Sequence, residues 1–333
     1  MKSQLKFRNK FLYGIGGLGY SSMSQTLNNF IMFFGTSVMG ISGSLVGIAI
    51  AISSLWDGVS DPLVGHLSDN TNNRFFGKRL GFMFFGIFII ALLNICIWSM
   101  PSSLPEFGKF LWLLIGMLAI ESANTCFGTP YAALAIDIAP DYNEQSKIQG
   151  FKTVFSIIGM VLPSILMYFF MPSISISIQA SHSKSGYIKI AFINSALLLF
   201  FGLIMIFSCL KYVRKNQIYQ SQTVKEKFRF SSLVNGYFNI LKKKDFRNVI
   251  LGYSFATISS AFLTSVGLHL FTYCYHFSSP QISIVLICLF GGAILSQPLW
   301  VYISKRLDKK RALIYSLTTI IFGIFLIVLT FLF

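Results

Sequence analysis

Apolar residues fall into long runs broken by short polar segments. Runs of about 20 predominantly apolar residues, the length an α-helix needs to cross a bilayer, lie at roughly 11–39, 45–68, 80–100, 110–136, 151–172, 188–210, 248–276, 281–303 and 312–333. The pattern predicts an all-α membrane protein with about nine transmembrane helices. The polar segments between the runs are basic on alternate sides. With the N-terminus cytoplasmic, 24 of the 27 Lys and Arg fall on the inner side, leaving Lys109, Lys184 and Lys189 outside. That asymmetry predicts the orientation.

The longest polar segment divides the chain. Residues 1–210 form a six-helix N-terminal bundle, 211–247 a basic cytoplasmic linker, and 248–333 a C-terminal bundle of three helices. The second run ends in Pro62-Leu63-Val64-Gly65-His66-Leu67-Ser68 and the eighth in Pro298-Leu299-Trp300-Val301-Tyr302-Ile303-Ser304. A repeated P-L-x-x-x-[LI]-S in the second helix of each half argues for two parallel six-helix halves. On that pattern the second half is expected to be about three helices short. A separately encoded C-terminal segment or self-association is then the expected remedy.

Composition adds exclusions. At 54% hydrophobic, 11% charged and mean hydropathy +0.67, the chain is far from a soluble domain. The net charge of +16 is spread between apolar runs rather than clustered, which excludes a nucleic-acid partner and leaves the lipid bilayer as the surface it meets. Cys96, Cys126, Cys209, Cys274 and Cys288 all sit in apolar runs without a CxxC, as small hydrophobes do. The basic start and long first run predict an uncleaved first helix. Short loops and no targeting segment point to a bacterial inner membrane.

Candidate chemistry centres on Ser53–Arg79. Asp57 and Asp61 fall within the second run, at membrane depth, where a carboxylate costs roughly 2.5 to 3.5 kcal/mol on insertion scales. One helical turn apart, they share a face and repel unless a cation lies between them or one is protonated. They therefore read as a coupling-cation site, against the plainer alternative of an interhelical hydrogen-bonding pair. Asp69, Arg74, Lys78 and Arg79 stand at the cytoplasmic end of the same helix as gating or topology-setting charges. On the first run, Ser21, Gln25, Asn28 and Asn29 form a polar stripe, lining a cavity or making helix contacts. Glu121, four residues before Thr125, is either a cavity carboxylate or an interfacial one. His269 and Tyr273, four apart on the seventh run, are candidates for binding solute or carrying a proton.

The stretch WDGVSDPLVGHLSDNTNNRFFGKR resembles the glycoside-pentoside-hexuronide:cation symporters, the melibiose-permease-like branch of the major facilitator superfamily. Trp56, Asp57, Asp61, Pro62, Gly65, Asp69, Thr71 and Arg74 match its W-D-x-x-x-D-P-x-x-G-x-x-x-D-x-T-x-x-R pattern. A second block, TCFGTPYAALAIDIAPDYNEQSK, is similar to the family's span-four exit through Thr125, Pro130, Tyr131, Ala133, Leu134, Asp137, Asp141, Tyr142 and Glu144. The resemblance implies a major facilitator-type bundle and a cation site of Asp57, Ser60, Asp61 and Thr125. Two carboxylates and two neutral oxygens suit Na⁺, and a proton equally relieves the repulsion. No other metal or cofactor is implied. At the positions of the melibiose-type sugar ligands the chain carries Ser21, Gly128, Ala132 and Lys152, a departure that argues against a galactoside. A lysine at 152 would suit an anionic solute.

The expected function is secondary active symport of a small polar solute, sugar-like or anionic, coupled to Na⁺ or H⁺ by alternating access. The rivals are a truncated, non-transporting remnant or half of a split carrier, and an integral membrane enzyme. The chain has no second aspartyl-protease motif, nucleophile elbow, haem pair or zinc signature to support an enzyme.

Overall fold

The computed structural model describes residues 6–71, 76, 79–139, 142–171, 184–220, 242–306 and 309–332. Among them there is no strand. The α-helices among the described residues are, in chain order, α1 (Phe7–Phe33), α2 (Gly43–Asn70), α3 (Leu80–Trp98), α4 (Glu106–Ile138), α5 (Tyr142–Phe170), α6 (Lys184–Gln220), α7 (Lys244–His269), α8 (Ser279–Arg306) and α9 (Lys309–Leu332). Six helical stretches among the described residues are long and apolar enough to cross a membrane: Gly43–Asp69, Leu80–Trp98, Glu106–Ile138, Lys147–Phe170, Lys184–Tyr212 and Phe246–Cys274. This is a multi-pass membrane protein. The chain forms two compact units, Met1–Ile284 and Val285–Phe333. In the second, Arg306 lays its guanidinium 4.7 Å from the Tyr302 ring centroid, one turn back on α8.

Within the first unit α1 is the hub. It packs against α5 and α6, α2 packs on α4, and α3 bridges α4 and α6. Glycine makes the closest approaches possible. A Cβ at Gly159 on α5 would stand 2.3 Å from the Leu18 carbonyl oxygen, and one at Gly19 would stand 2.6 Å from Leu198 Cα on α6. Small residues at a helix contact let backbones approach without a hydrophobic driving force, which lipid does not supply.

Several polar groups inside the bundle pair across helices, which satisfies them where water is absent. Tyr13 and Tyr131 each donate to the other's main-chain carbonyl at 2.7 Å, tying α1 to α4. Ser22 donates to Asn194 Oδ1 at 2.7 Å, and Asn194 Nδ2 donates to Thr26 Oγ1 at 2.7 Å.

The repeat that relates Pro62 to Pro298 extends to the backbone. α1 passes into a π-helical turn, Phe34–Val38, and α7 into another, Leu270–Cys274. Each turn is followed by a residue of positive φ, Gly40 at 70° and His276 at 53°. α2 and α8 then begin at Gly43 and Ser279, and each runs for 28 residues. Every one of these landmarks recurs at the same interval that separates the two prolines.

Candidate functional site

Asp57 and Asp61 project from one face of α2, and α4 answers them at the same spacing. Thr125 Oγ1 lies 3.4 Å from Asp57 Oδ1, and Thr129 Oγ1 donates to Asp61 Oδ1 at 2.9 Å. Both pairs are offset by 68 residues. Two helices in register thus present carboxylate and hydroxyl on successive turns. Ser60 Oγ lies 2.9 Å from Thr125 Oγ1 and joins the first rung. Ser60 and Thr125 are both buried, at 4% and 3% exposure. The four residues expected for a cation site, Asp57, Ser60, Asp61 and Thr125, are therefore brought together, and Thr129, which no sequence motif singles out, stands beside Asp61.

The rungs border a cavity of about 810 Å³ between α1, α2 and α4, lined by Asp57, Asp61, Glu121, Asn124 and Thr125 on one side and by Tyr20 and Asn28 on α1. Glu121 accepts a hydrogen bond from Asn124 Nδ2 at 3.3 Å. Asn124 Oδ1 is buried and has no hydrogen-bond partner among the described residues. Glu121 and Asn28 also line a second cavity of about 330 Å³, with Gln25 on α1 and Ser260 and Thr264 on α7. An apolar groove of about 560 Å³ along Phe82, Phe85, Ile89 and Leu93 carries no charged group. Among the described residues no three His, Cys, Asp or Glu side chains gather as a metal site. A cation between α2 and α4 would therefore draw on two carboxylates with hydroxyl oxygens, a set suited to a hard monovalent ion or to a proton.

Several expected solute ligands stand elsewhere. Ser21 is buried in the bundle and lines neither cavity. Lys152 holds its ammonium 4.3 Å from the ring centroid of the fully buried Tyr131, also away from both cavities. His269 and Tyr273 lie at the far end of α1, where His269 Nε2 is 2.8 Å from Thr36 Oγ1 and Tyr273 donates to Ser37 Oγ at 3.0 Å. Gln25, Asn28 and Glu121 do line cavities. At Gly128, where the resemblance predicts a sugar-binding acid, a Cβ would stand 2.7 Å from the Tyr20 hydroxyl. Tyr20 fills that space.

At the other end of α2, Arg79 lies between two carboxylates, one of them Asp69, expected from the sequence among the gating or topology-setting charges. Its Nη2 lies 2.7 Å from Asp69, and its Nη1 lies 2.6 Å from Asp137 and donates to the Ala133 carbonyl at 3.0 Å. Arg74 and Lys78 lie outside the described residues. Asp137 was recognisable only as an acidic match in the span-four block. Nearby, Glu144 pairs with Lys10 at 2.7 Å and with Lys147 at 2.9 Å. Hydrogen bonds from these two ammonium groups hold its carboxyl down at about 2.

A family model described as MFS/sugar transport protein matches residues 12–332. An uncharacterized symporter of Synechocystis sp. is 32% identical over 168 residues, 49% of this chain and 31% of the relative. An inner membrane symporter of Escherichia coli is 29% identical over 50% of this chain and 36% of its own length. The sodium-dependent lysophosphatidylcholine symporter 1 of Mus musculus is 21% identical over 96% of this chain and 62% of its own. The chain thus spans less than two thirds of each of these relatives.

Proposed function

The chain belongs to the MFS/sugar transport family, and from that premise we propose that it is a cation-coupled symporter working by alternating access. On this reading nine spans cross a bacterial inner membrane from a cytoplasmic N-terminus. Six lie within 1–210 and three within 248–333, joined by the basic segment 211–247. The observation that carries it is the pair of rungs between α2 and α4, Asp57 with Ser60 and Thr125, and Asp61 with Thr129. Two acids a turn apart in a lipid-embedded bundle are uncompensated until a cation joins them. Filling the site neutralises the cavity wall and lets the bundle rearrange around it.

Na⁺ is the first ion to test, since the mouse relative is named for sodium dependence. The solute is small and polar. The described cavity wall holds three acids and neither Lys nor Arg, which favours a solute offering hydroxyl or cationic donors. The reason for an anionic solute goes with Lys152, which lies against Tyr131.

The deciding measurement needs no solute. Purified protein is heated in NaCl and in KCl, and a ligand that binds only the folded state raises the unfolding temperature with its concentration. Na⁺ is expected to raise it in the wild type and to leave Asp57→Asn and Asp61→Asn unmoved. Equal rises in all three would overturn the assignment.

A further inference from the structure

α1 and α7 meet at their π-helical turns, and the contacts fall on residues that correspond under the repeat. Phe33 and His269 are equivalent positions, and their ring centroids stand 5.1 Å apart. Ser37 and Tyr273 are equivalent too, joined by the 3.0 Å hydrogen bond. Self-matching contacts of this kind arise where a two-fold relation runs between two copies of one surface. The seam departs from that symmetry at one polar point. Thr36 Oγ1 reaches His269 Nε2 at 2.8 Å. Its counterpart Thr272 corresponds to a helix partner, Phe33, that offers no ring nitrogen. The Thr272 hydroxyl is buried, with the residue 3% exposed, and has no hydrogen-bond partner among the described residues.

The seam lies directly beyond the 330 Å³ cavity. Ile31 and Ser265 line that cavity, and Phe33 and His269 follow them within about one turn of α1 and α7. We infer that Thr36, Ser37, His269 and Tyr273 form a latch that closes the cavity at the end where α1 and α7 terminate. His269 and Tyr273 are then positioning residues of the transport cycle rather than solute ligands. The hydrogen bond made on one side of the repeat and missing on the other sets how readily the latch parts. The inference rests on the alternating-access reading above, since only a carrier needs that end to open.

Accessibility tests it without transport. In a background with the five cysteines replaced by serine, Gln25→Cys places a thiol in the cavity. Ser102→Cys marks the exposed loop at the same end, where Ser42 N donates to Glu106 at 2.9 Å and Lys109 to the Met39 carbonyl at 2.8 Å. A membrane-impermeant maleimide is applied from the face at which Ser102→Cys reacts. His269→Phe keeps the ring contact and loses the hydrogen bond, and is expected to speed labelling at Gln25→Cys about 2- to 10-fold. Phe33→His, which offers Thr272 a partner, is expected to slow it by a similar factor. The rate at Ser102→Cys stays constant throughout, reporting an inserted and folded protein. Rates at Gln25→Cys unmoved by both substitutions, with Ser102→Cys reacting normally, would overturn the latch. The sodium-dependent unfolding shift would be untouched by that result, so the two readings fail separately.

Discussion

Gly40 and His276 occupy the same place in successive copies of one structural unit, and both hold left-handed backbone, at φ 70° and 53°. Each reverses the chain between a π-helical turn and the next helix. A Cβ at Gly40 would meet nothing within 4 Å, so a substitution there costs conformation and not space. Gly40→Asn, a residue that tolerates this region, is expected to lower stability by less than about 1 kcal/mol. Gly40→Val is expected to cost about 1–3 kcal/mol. Thermal unfolding in detergent separates the two, and equal losses would show that the turn is not conformationally constrained.

Thr125 supplies its oxygen to the first rung between α2 and α4, 2.9 Å from Ser60 and 3.4 Å from Asp57. Thr125→Val keeps the shape and removes the oxygen. A hydrogen bond or ligand contact to a charged group is worth about 1.5–3 kcal/mol, so Na⁺ affinity is expected to fall roughly 10- to 100-fold. Thr129→Val is expected to act through Asp61 in the same direction. Titrating the Na⁺-dependent rise in unfolding temperature measures both. An unchanged Na⁺ response in Thr125→Val would remove that hydroxyl from the site.

Arg79 satisfies two carboxylates and a carbonyl at once, from Asp69 at the end of α2 and from Asp137 and Ala133 at the end of α4. Its side chain is 17% exposed and that of Asp137 22%, so solvent screening trims the interaction below that of a fully buried pair. Arg79→Ala and Asp137→Asn are expected to be non-additive, with a coupling of about 1–2 kcal/mol. A double-mutant cycle on unfolding in detergent reads it. Additive losses would mean that Arg79 and Asp137 are not energetically coupled.

Glu144 lies between Lys10 and Lys147 with its carboxyl held at about 2 against an ordinary 4.5. A carboxyl lowered on folding stabilises the fold wherever it is ionised in both states, fully above about 4.5. That contribution declines as pH drops below 4.5 and is gone once the folded group protonates near 2. Wild-type stability is therefore expected to fall between about pH 5 and pH 2 more steeply than that of Glu144→Gln. Parallel pH profiles would refute the assignment.

How much of this was legible in the sequence differs by element. Asp57 and Asp61 were legible because charge at membrane depth and a four-residue spacing both follow from counting along one helix. Thr129 follows from the same spacing applied to α4, one turn past Thr125, and was missed because no motif singles it out. Ser21 lines neither cavity, and the sequence does not reveal this because α1 is polar on more than one face. Ser22 and Thr26 turn toward Asn194 on α6, while Ser24 and Asn28 turn toward the cavity, and helical period alone does not say which face meets which neighbour. His269 and Lys152 drew notice for their chemistry. Thr36, the partner of His269, is remote in sequence, and the Tyr131 ring beneath Lys152 stands on a different helix. Only the fold creates such pairings.

The packing of α1 was the least legible feature, because a glycine in an apolar run carries no sign of which backbone it admits. Gly159 lets α5 approach Leu18 so closely that a Cβ would lie 2.3 Å from its carbonyl oxygen, and Gly19 admits Leu198 of α6, with the Cβ 2.6 Å from Cα. In both cases the obstruction is main chain, which cannot rotate aside as a side-chain tip can. Gly159→Ala and Gly19→Ala are therefore expected to cost about 1–3 kcal/mol each through forced helix separation, despite alanine's better helix propensity of about 1 kcal/mol. Gly150→Ala, also on α5 but with nothing within 4 Å of its Cβ, is expected to be neutral or stabilising. Unfolding midpoints of the three variants decide the matter. A stabilised Gly159→Ala would mean that α1 and α5 do not meet at this distance.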